Sequence, residues 1–149
     1  MRVVFDTNIL VLSFHGEPAS NIIDAALSEF PMEQLSFFYS DDTMREYRTV
    51  LVGLSEKNPA VFYQATVEQL LAAIRQHGNH VHPIITLTTD DKDACTHDPD
   101  NRFLECAIEA EADYVITVNT EHFPATYQLP NKVIRRVSPG QFEHILFSD

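Results

Sequence analysis

Glycine is scarce in this chain, with four residues, at 16, 53, 78 and 140, in a total of 149. Neither a Walker phosphate loop nor a dinucleotide-binding fingerprint can be written with them, because both need clustered glycines to bring backbone N–H groups against phosphate. Nucleotide clamping of those kinds is excluded. Cysteine is scarcer still: Cys95 and Cys106 stand in no paired-ligand spacing, which argues against a disulfide framework and for a reducing, cytoplasmic setting. No apolar run approaches the ~20 residues that span a bilayer. Asp6 also interrupts the N-terminal segment where a signal peptide would carry its hydrophobic region, so no membrane role is expected. Basic residues are few as well. Ten Lys and Arg against 22 Asp and Glu leave a net charge of −12, which on charge alone opposes nucleic acid. Carboxylates gathered around a divalent cation would reverse that argument, because the cation neutralises them where the substrate sits.

Several catalytic signatures are missing too. There is no Gly-x-Ser-x-Gly elbow for a serine hydrolase, and the seven histidines have no zincin spacing. A phosphatase with an aspartyl nucleophile would want a second Asp at the place of Asn8. His80 and His82 would share one face of a strand, and Cys95-Thr96-His97 brings a thiol near an imidazole. With no further ligands in sequence, a zinc site is not the expected reading of either.

What remains is an ordinary globular composition, 44% hydrophobic and 21% charged, in a length that suits one compact domain over residues 1–149. The apolar run Arg2-Val3-Val4-Phe5 ends on Asp6 and reads as a buried parallel strand. Pro18 and Ser20 introduce a helix through about Glu29, and Leu35–Tyr39 reads as a second strand. Ser40 then sits as the N-cap of a helix with Met44, Tyr47, Leu51 and Leu54 on its apolar stripe, ending near Gly53. Asn58-Pro59 predicts the start of a long helix to His77, stopped by Gly78, and Val81–Ile85, broken by Pro83, a short edge strand. After a polar stretch from Thr86 to Asn101 come a helix through Phe103 and Ile108, a buried strand Tyr114–Val118, a strand Lys132–Val137, and a terminal helix capped by Ser138-Pro139. Alternating strands and helices predict an α/β fold, a three-layer α/β/α sandwich with a mostly parallel sheet.

On that frame Asp6, Glu46 and Asp100 can face one crevice beyond the carboxyl ends of the strands, where open α/β sheets bind ligands. Converging carboxylates suit a hard cation, and phosphodiester hydrolysis is the chemistry that needs one. Each residue has a plain structural alternative. Asp6-Thr7-Asn8 also reads as a turn, Asp98-Pro99-Asp100-Asn101 as a turn into a helix N-cap, and Glu46 as a surface helix residue. The basic groups Arg45 with Arg48, and Lys132 with Arg135 and Arg136, also read as solvated faces. Val61, Phe62, Ala65, Val67, Leu70, Leu71 and Ile74 give the long helix more apolar surface than a narrow stripe needs, which fits core packing or a homodimer interface.

Four segments in order, Val3–Asn8, Ser40 with Glu46–Leu51, Asp98–Ala107 and Ala112–Asn119, resemble the PIN-domain family, and more narrowly its branch of VapC-like toxins of toxin–antitoxin systems. The resemblance covers nearly the whole chain. It implies an endoribonuclease dependent on Mg²⁺ or Mn²⁺, with Asp6, Glu46 and Asp100 as the metal-holding acids. Thr7 or Asn8 would orient Asp6, Ser40 and Thr117 would support the site, Asp98 would stand beside it, and Arg45, Arg48 and Arg102 would meet RNA. The family often has an acid where this chain has Asn119, which puts a second metal in question; Glu121 or His122 is the candidate substitute, and Val118 would crowd the crevice floor. A cognate antitoxin and a homodimer or higher homo-oligomer are the partners that the resemblance implies. The alternative is a catalytically weak PIN-fold module that binds RNA or a protein.

Overall fold

A computed structural model describes residues 1–28 and 34–148. Its strands and helices, in chain order, are β1 (Arg2–Phe5), α1 (Thr7–Ser13), α2 (Ala19–Leu27), β2 (Ser36–Tyr39), α3 (Asp41–Lys57), α4 (Gln64–His77), β3 (Asn79–His80), α5 (Asn101–Glu109), β4 (Tyr114–Ile116), β5 (Thr126–Gln128), β6 (Val133–Val137) and α6 (Pro139–Phe147), with a single 3₁₀ turn at Asp98–Asp100. The predicted helix end near Glu29 lies outside the described residues.

One six-stranded sheet runs in the order β3-β2-β1-β4-β6-β5, parallel throughout except for β5, which pairs antiparallel with β6. Val3, Val4 and Phe5 are fully buried because β1 is covered on both faces, as a parallel strand must be. Helix α5 packs on β1, β2 and β4, whereas α2 lies against β2, α1, α4 and α6. This is the predicted α/β sandwich. Tyr47, Phe5, Phe37, Phe103 and Phe142 are its largest fully buried side chains, each worth roughly 1.5–3 kcal/mol of apolar burial. Tyr47 also donates its hydroxyl to the Phe5 carbonyl, tying α3 to the end of β1.

Six elements differ from the sequence reading. Helix α1, which starts directly after Asp6, was not predicted: Thr7, Ile9 and Leu10 turn inward there, in a stretch too short and apolar to display a helical polar face. Helix α3 runs through Gly53 to Lys57, and Asn58 is its C-cap, not the N-cap of the next helix. Residues 59–63 form a turn that seats Phe62 in the core, so α4 begins only at Gln64. The edge strand is Asn79–His80, not Val81–Ile85. Strand β2 has four residues, its last being Tyr39; once Val81 N–H has bonded the Tyr39 carbonyl, no partner continues the ladder. Strand β4 stops at Ile116, and the short β5 had no sequence signal beyond a turn.

Gly78 ends α4 as predicted, for a different reason. Its φ of −77° is not left-handed. A Cβ there would stand 2.5 Å from the Ile74 carbonyl oxygen and 2.9 Å from the Tyr39 ring. Gly78→Ala is therefore expected to cost about 2 kcal/mol through overpacking against rigid backbone, read as a lowered midpoint in urea denaturation; an unchanged midpoint would mean that the approach relaxes freely.

Candidate functional site: a carboxylate cluster at the switch point of the sheet

The sheet order reverses at β1, with β2 and β3 on one side and β4, β6 and β5 on the other. That reversal opens a crevice at the carboxyl ends of β1 and β4, where connections leave in opposite directions. Asp6 stands directly after β1 and Thr117 directly after β4. Asp6 is only 2% exposed. Its Oδ2 accepts the Thr117 hydroxyl at 2.8 Å and the Asn119 side-chain amide at 3.3 Å, while Asn119 N–H donates to Thr117 Oγ1 at 3.0 Å. Thr117 therefore holds the Asp6 carboxylate in place, and Asn119 lies beside it.

Glu46 reaches the crevice from the second turn of α3, half-buried. Thr7 donates its hydroxyl to Glu46 and its backbone N–H to the Asp6 carboxylate, so it touches both acids. Asp100 comes from the 3₁₀ turn before α5, is buried, and takes His122 Nδ1 at 3.0 Å. Neither His122 nor His97, whose ring stacks on it at 5.0 Å, was assigned to Asp100 by sequence reading. Nothing local could have done so, since Thr96 N–H bonds the His122 carbonyl across a separation of 26 positions.

The three acids feel one another. Burial, together with the charges of Asp100 and Glu46, pushes the Asp6 carboxyl up to about 6 despite the Thr117 donor. Glu46 is raised by burial and by Asp100. Asp100 is raised by burial, with His97 and His122 holding it back. Among the described residues, however, the three do not offer one oxygen each within 4.8 Å of one another. Mutual repulsion favours such spreading, and Mg²⁺ usually takes one or two protein carboxylates plus water. An all-oxygen, electrostatically strained donor set of this kind fits a hard divalent cation.

The remaining candidates make contacts of their own. Asn8 is exposed, on the outer side of α1. Ser40 caps α3, accepting Thr43 N–H at 3.2 Å in a capping box. Asp98 accepts from Asn101 Nδ2 at 3.3 Å and lies 3.9 Å from the Arg102 guanidinium. Val118 is 45% exposed and does not form a crevice floor. Arg45 pairs with Asp42 at 2.7 Å and Arg48 with Glu68 at 3.2 Å, both at the surface. Arg102 is braced by Glu105 at 2.9 Å and by the Leu87 carbonyl. Arg136 is committed as well, donating to the carbonyls of Thr120 and Phe123 and so holding the loop that carries Asn119 and His122. Cys95 and Cys106 are buried free thiols, both pushed up to about 12 by burial, and so inert as nucleophiles.

The family model described as PIN domain matches residues 2–121. Among solved structures, the chain is similar to VapBC2 from Rickettsia felis, bound to a DNA fragment from its promoter, at 15% identity and a TM-score of 0.54, with 91% of this chain and 98% of that one covered. It is also similar to VapBC-1 from nontypeable Haemophilus influenzae, at 17% identity and a TM-score of 0.52, covering 81% and 89%. No curated protein matches in sequence.

Proposed function

The chain belongs to the PIN-domain family, and from that premise we propose that it is a divalent-metal-dependent endoribonuclease, the VapC-like toxin of a toxin–antitoxin pair. The observation that carries the reading is the coupling of Asp6, Glu46 and Asp100, delivered by three separate elements to the β1–β4 switch point, with Asp6 driven up to about 6.

Asp6, Asp100 and Glu46 would hold Mg²⁺ or Mn²⁺, with the Asn119 amide oxygen as a neutral fourth donor. A divalent ion so held lowers the pKa of an attacking water and neutralises charge at a scissile phosphodiester. Thr117 fixes the Asp6 carboxylate, Thr7 fixes Glu46, and His122 fixes Asp100. Arg45 and Arg48, exposed and held only by surface carboxylates, would exchange those partners for RNA phosphates. Arg102 is left out of that role, since it is already spent on Glu105 and Leu87.

The similar solved structures are VapBC complexes, which supports a cognate antitoxin partner here. An Arg or Lys entering the acidic groove is the natural inhibitory device. Self-association as a homodimer or higher homo-oligomer belongs to the same reading and is measurable by light scattering. A cytoplasmic location is consistent with it; among the described residues, no helix is long and apolar enough to cross a membrane.

Titration calorimetry of Mn²⁺ into the metal-free protein at neutral pH, followed by cleavage of single-stranded RNA, tests the proposal. Absence of uptake would sink it in favour of a PIN-fold module that binds RNA or protein without cutting. That second reading draws on Asn119, whose amide N–H occupies Asp6 Oδ2. Asn119→Asp separates the two: for the nuclease, uptake tightens roughly tenfold as a charged oxygen replaces a neutral one. Unchanged uptake would remove position 119 from the metal site.

A further inference from the structure

Beyond the acidic crevice, a second group of metal-ligating side chains sits at the β3 edge of the sheet. Asp41, His80 and His82 each offer one ligand atom, and the three atoms lie within 4.8 Å of one another. His80 ends β3, and His82 lies two residues further on. Asp41 is the first residue of α3, brought alongside because β2 leads into α3 and pairs with β3. We propose that these three residues form a Zn²⁺ site, separate from the carboxylate crevice and independent of the nuclease reading.

The donor chemistry selects the ion. Two imidazoles and one carboxylate suit Zn²⁺, which takes three protein ligands and a water in open sites, whereas Mg²⁺ and Mn²⁺ favour oxygen-only sets. The geometry is close to what the ion needs. His80 Nε2 and Asp41 Oδ1 are 2.8 Å apart, sharing a hydrogen bond. Ligand atoms about 2.0–2.1 Å from a tetrahedral ion lie roughly 3.3 Å from each other. For this pair the ion replaces the shared proton after a shift of about half an ångström, while the His82 ligand atom, within 4.8 Å of the other two, closes by up to about 1.5 Å. The His82 ring is already beside that of His80, with centroids 4.4 Å apart. His80 in turn lies flat on Tyr39 at 5.0 Å with 5° between planes, which restricts its rotamers before any ion arrives. Such pre-orientation lowers the entropy lost on binding.

The consequence is local. Strand β3 has two residues, and the chain from 81 to 97 forms no helix or strand. A Zn²⁺ bridging His80 and His82 to Asp41 pins the start of that segment to the N-terminus of α3.

The test is calorimetric titration of Zn²⁺ into the untagged full chain in millimolar Mg²⁺, which keeps carboxylate-only sites occupied. The wild type is expected to bind one Zn²⁺ per chain, with a rise in melting temperature. The Asp6→Asn/Asp100→Asn protein should do the same. His80→Gln/His82→Gln, which keeps side-chain size at exposed positions, should lose the tight event by at least tenfold, and Asp41→Asn should weaken it. Zn²⁺ binding as tight in the His80→Gln/His82→Gln protein as in the wild type, or no uptake by the wild type, would overturn the proposal.

Discussion

Asp6→Asn and Asp100→Asn are each expected to lower kcat/KM for single-stranded RNA by about a thousandfold, with loss of the calorimetric Mn²⁺ signal. The size follows from the role assigned to the acids. A bound divalent ion contributes several kcal/mol to the transition state of phosphodiester hydrolysis, and each 1.4 kcal/mol is a factor of about ten. Both substitutions keep the shape of the side chain and one oxygen, so they remove charge and little else. At Asp6 the new amide oxygen still accepts the Thr117 hydroxyl, the bond that holds the side chain at the switch point. Cleavage that survives in both variants would belong to a contaminant, and with it the nuclease reading would fall. Glu46→Gln tests the third acid the same way.

The same Asp6→Asn protein, free of metal, is expected to be more stable than the wild type above pH 6, by about 3 kcal/mol. Burial and the neighbouring acids raise the Asp6 carboxyl from 3.8 to about 6 in the folded state. Below pH 3.8, folded and unfolded chains both carry the proton and the difference vanishes. Between the two values the unfolded chain ionises while the folded one resists, so stability falls with rising pH at about 1.4 kcal/mol per unit and levels off above pH 6. Asparagine has no charge to desolvate and escapes the whole decline. For a chain of this length the gain corresponds to a melting temperature roughly 5–10 °C higher at pH 8 in chelator. Saturating Mn²⁺ reverses the order, because it binds the wild type and stabilises it by mass action. Equal melting temperatures at pH 8 without metal would mean that Asp6 is not held against its neighbours' charge. If Asp6 holds the metal, function and stability pull in opposite directions at one residue, the usual condition of a site built from like charges.

How much of this was legible from the residues can be seen position by position. Asp6 was visible because a buried strand ended on it, whereas Thr117, read as part of the strand Tyr114–Val118, entered only through the family resemblance. Ser40 and Ser138 were readable as caps from the residues after them, and both make capping boxes. Helix α1 was not, because Thr7–Ser13 has neither a polar face nor an N-cap side-chain bond to announce it. Asn58-Pro59 misled for a related reason. The same pair serves as a stop when Phe62 finds a core position, and only packing decides between the two uses. Asp98 and Arg102 sit beside Asp100 in sequence, yet Asp98 meets Asn101 while Arg102 meets Glu105 and the Leu87 carbonyl, since a 3₁₀ turn followed by a helix spreads neighbouring side chains around the axis.

The sequence by itself determined the α/β class and the family, because strand periodicity, caps and short ordered motifs are local properties of the chain. Only the tertiary structure decided what those residues meet. It brought His122 onto Asp100, Thr7 onto Glu46 and Asn119 onto Asp6, and it carried Asp41 to His80 and His82 across the sheet edge. Those pairings join segments up to 113 positions apart. Their partners are chosen by strand order and core packing, which no local pattern encodes.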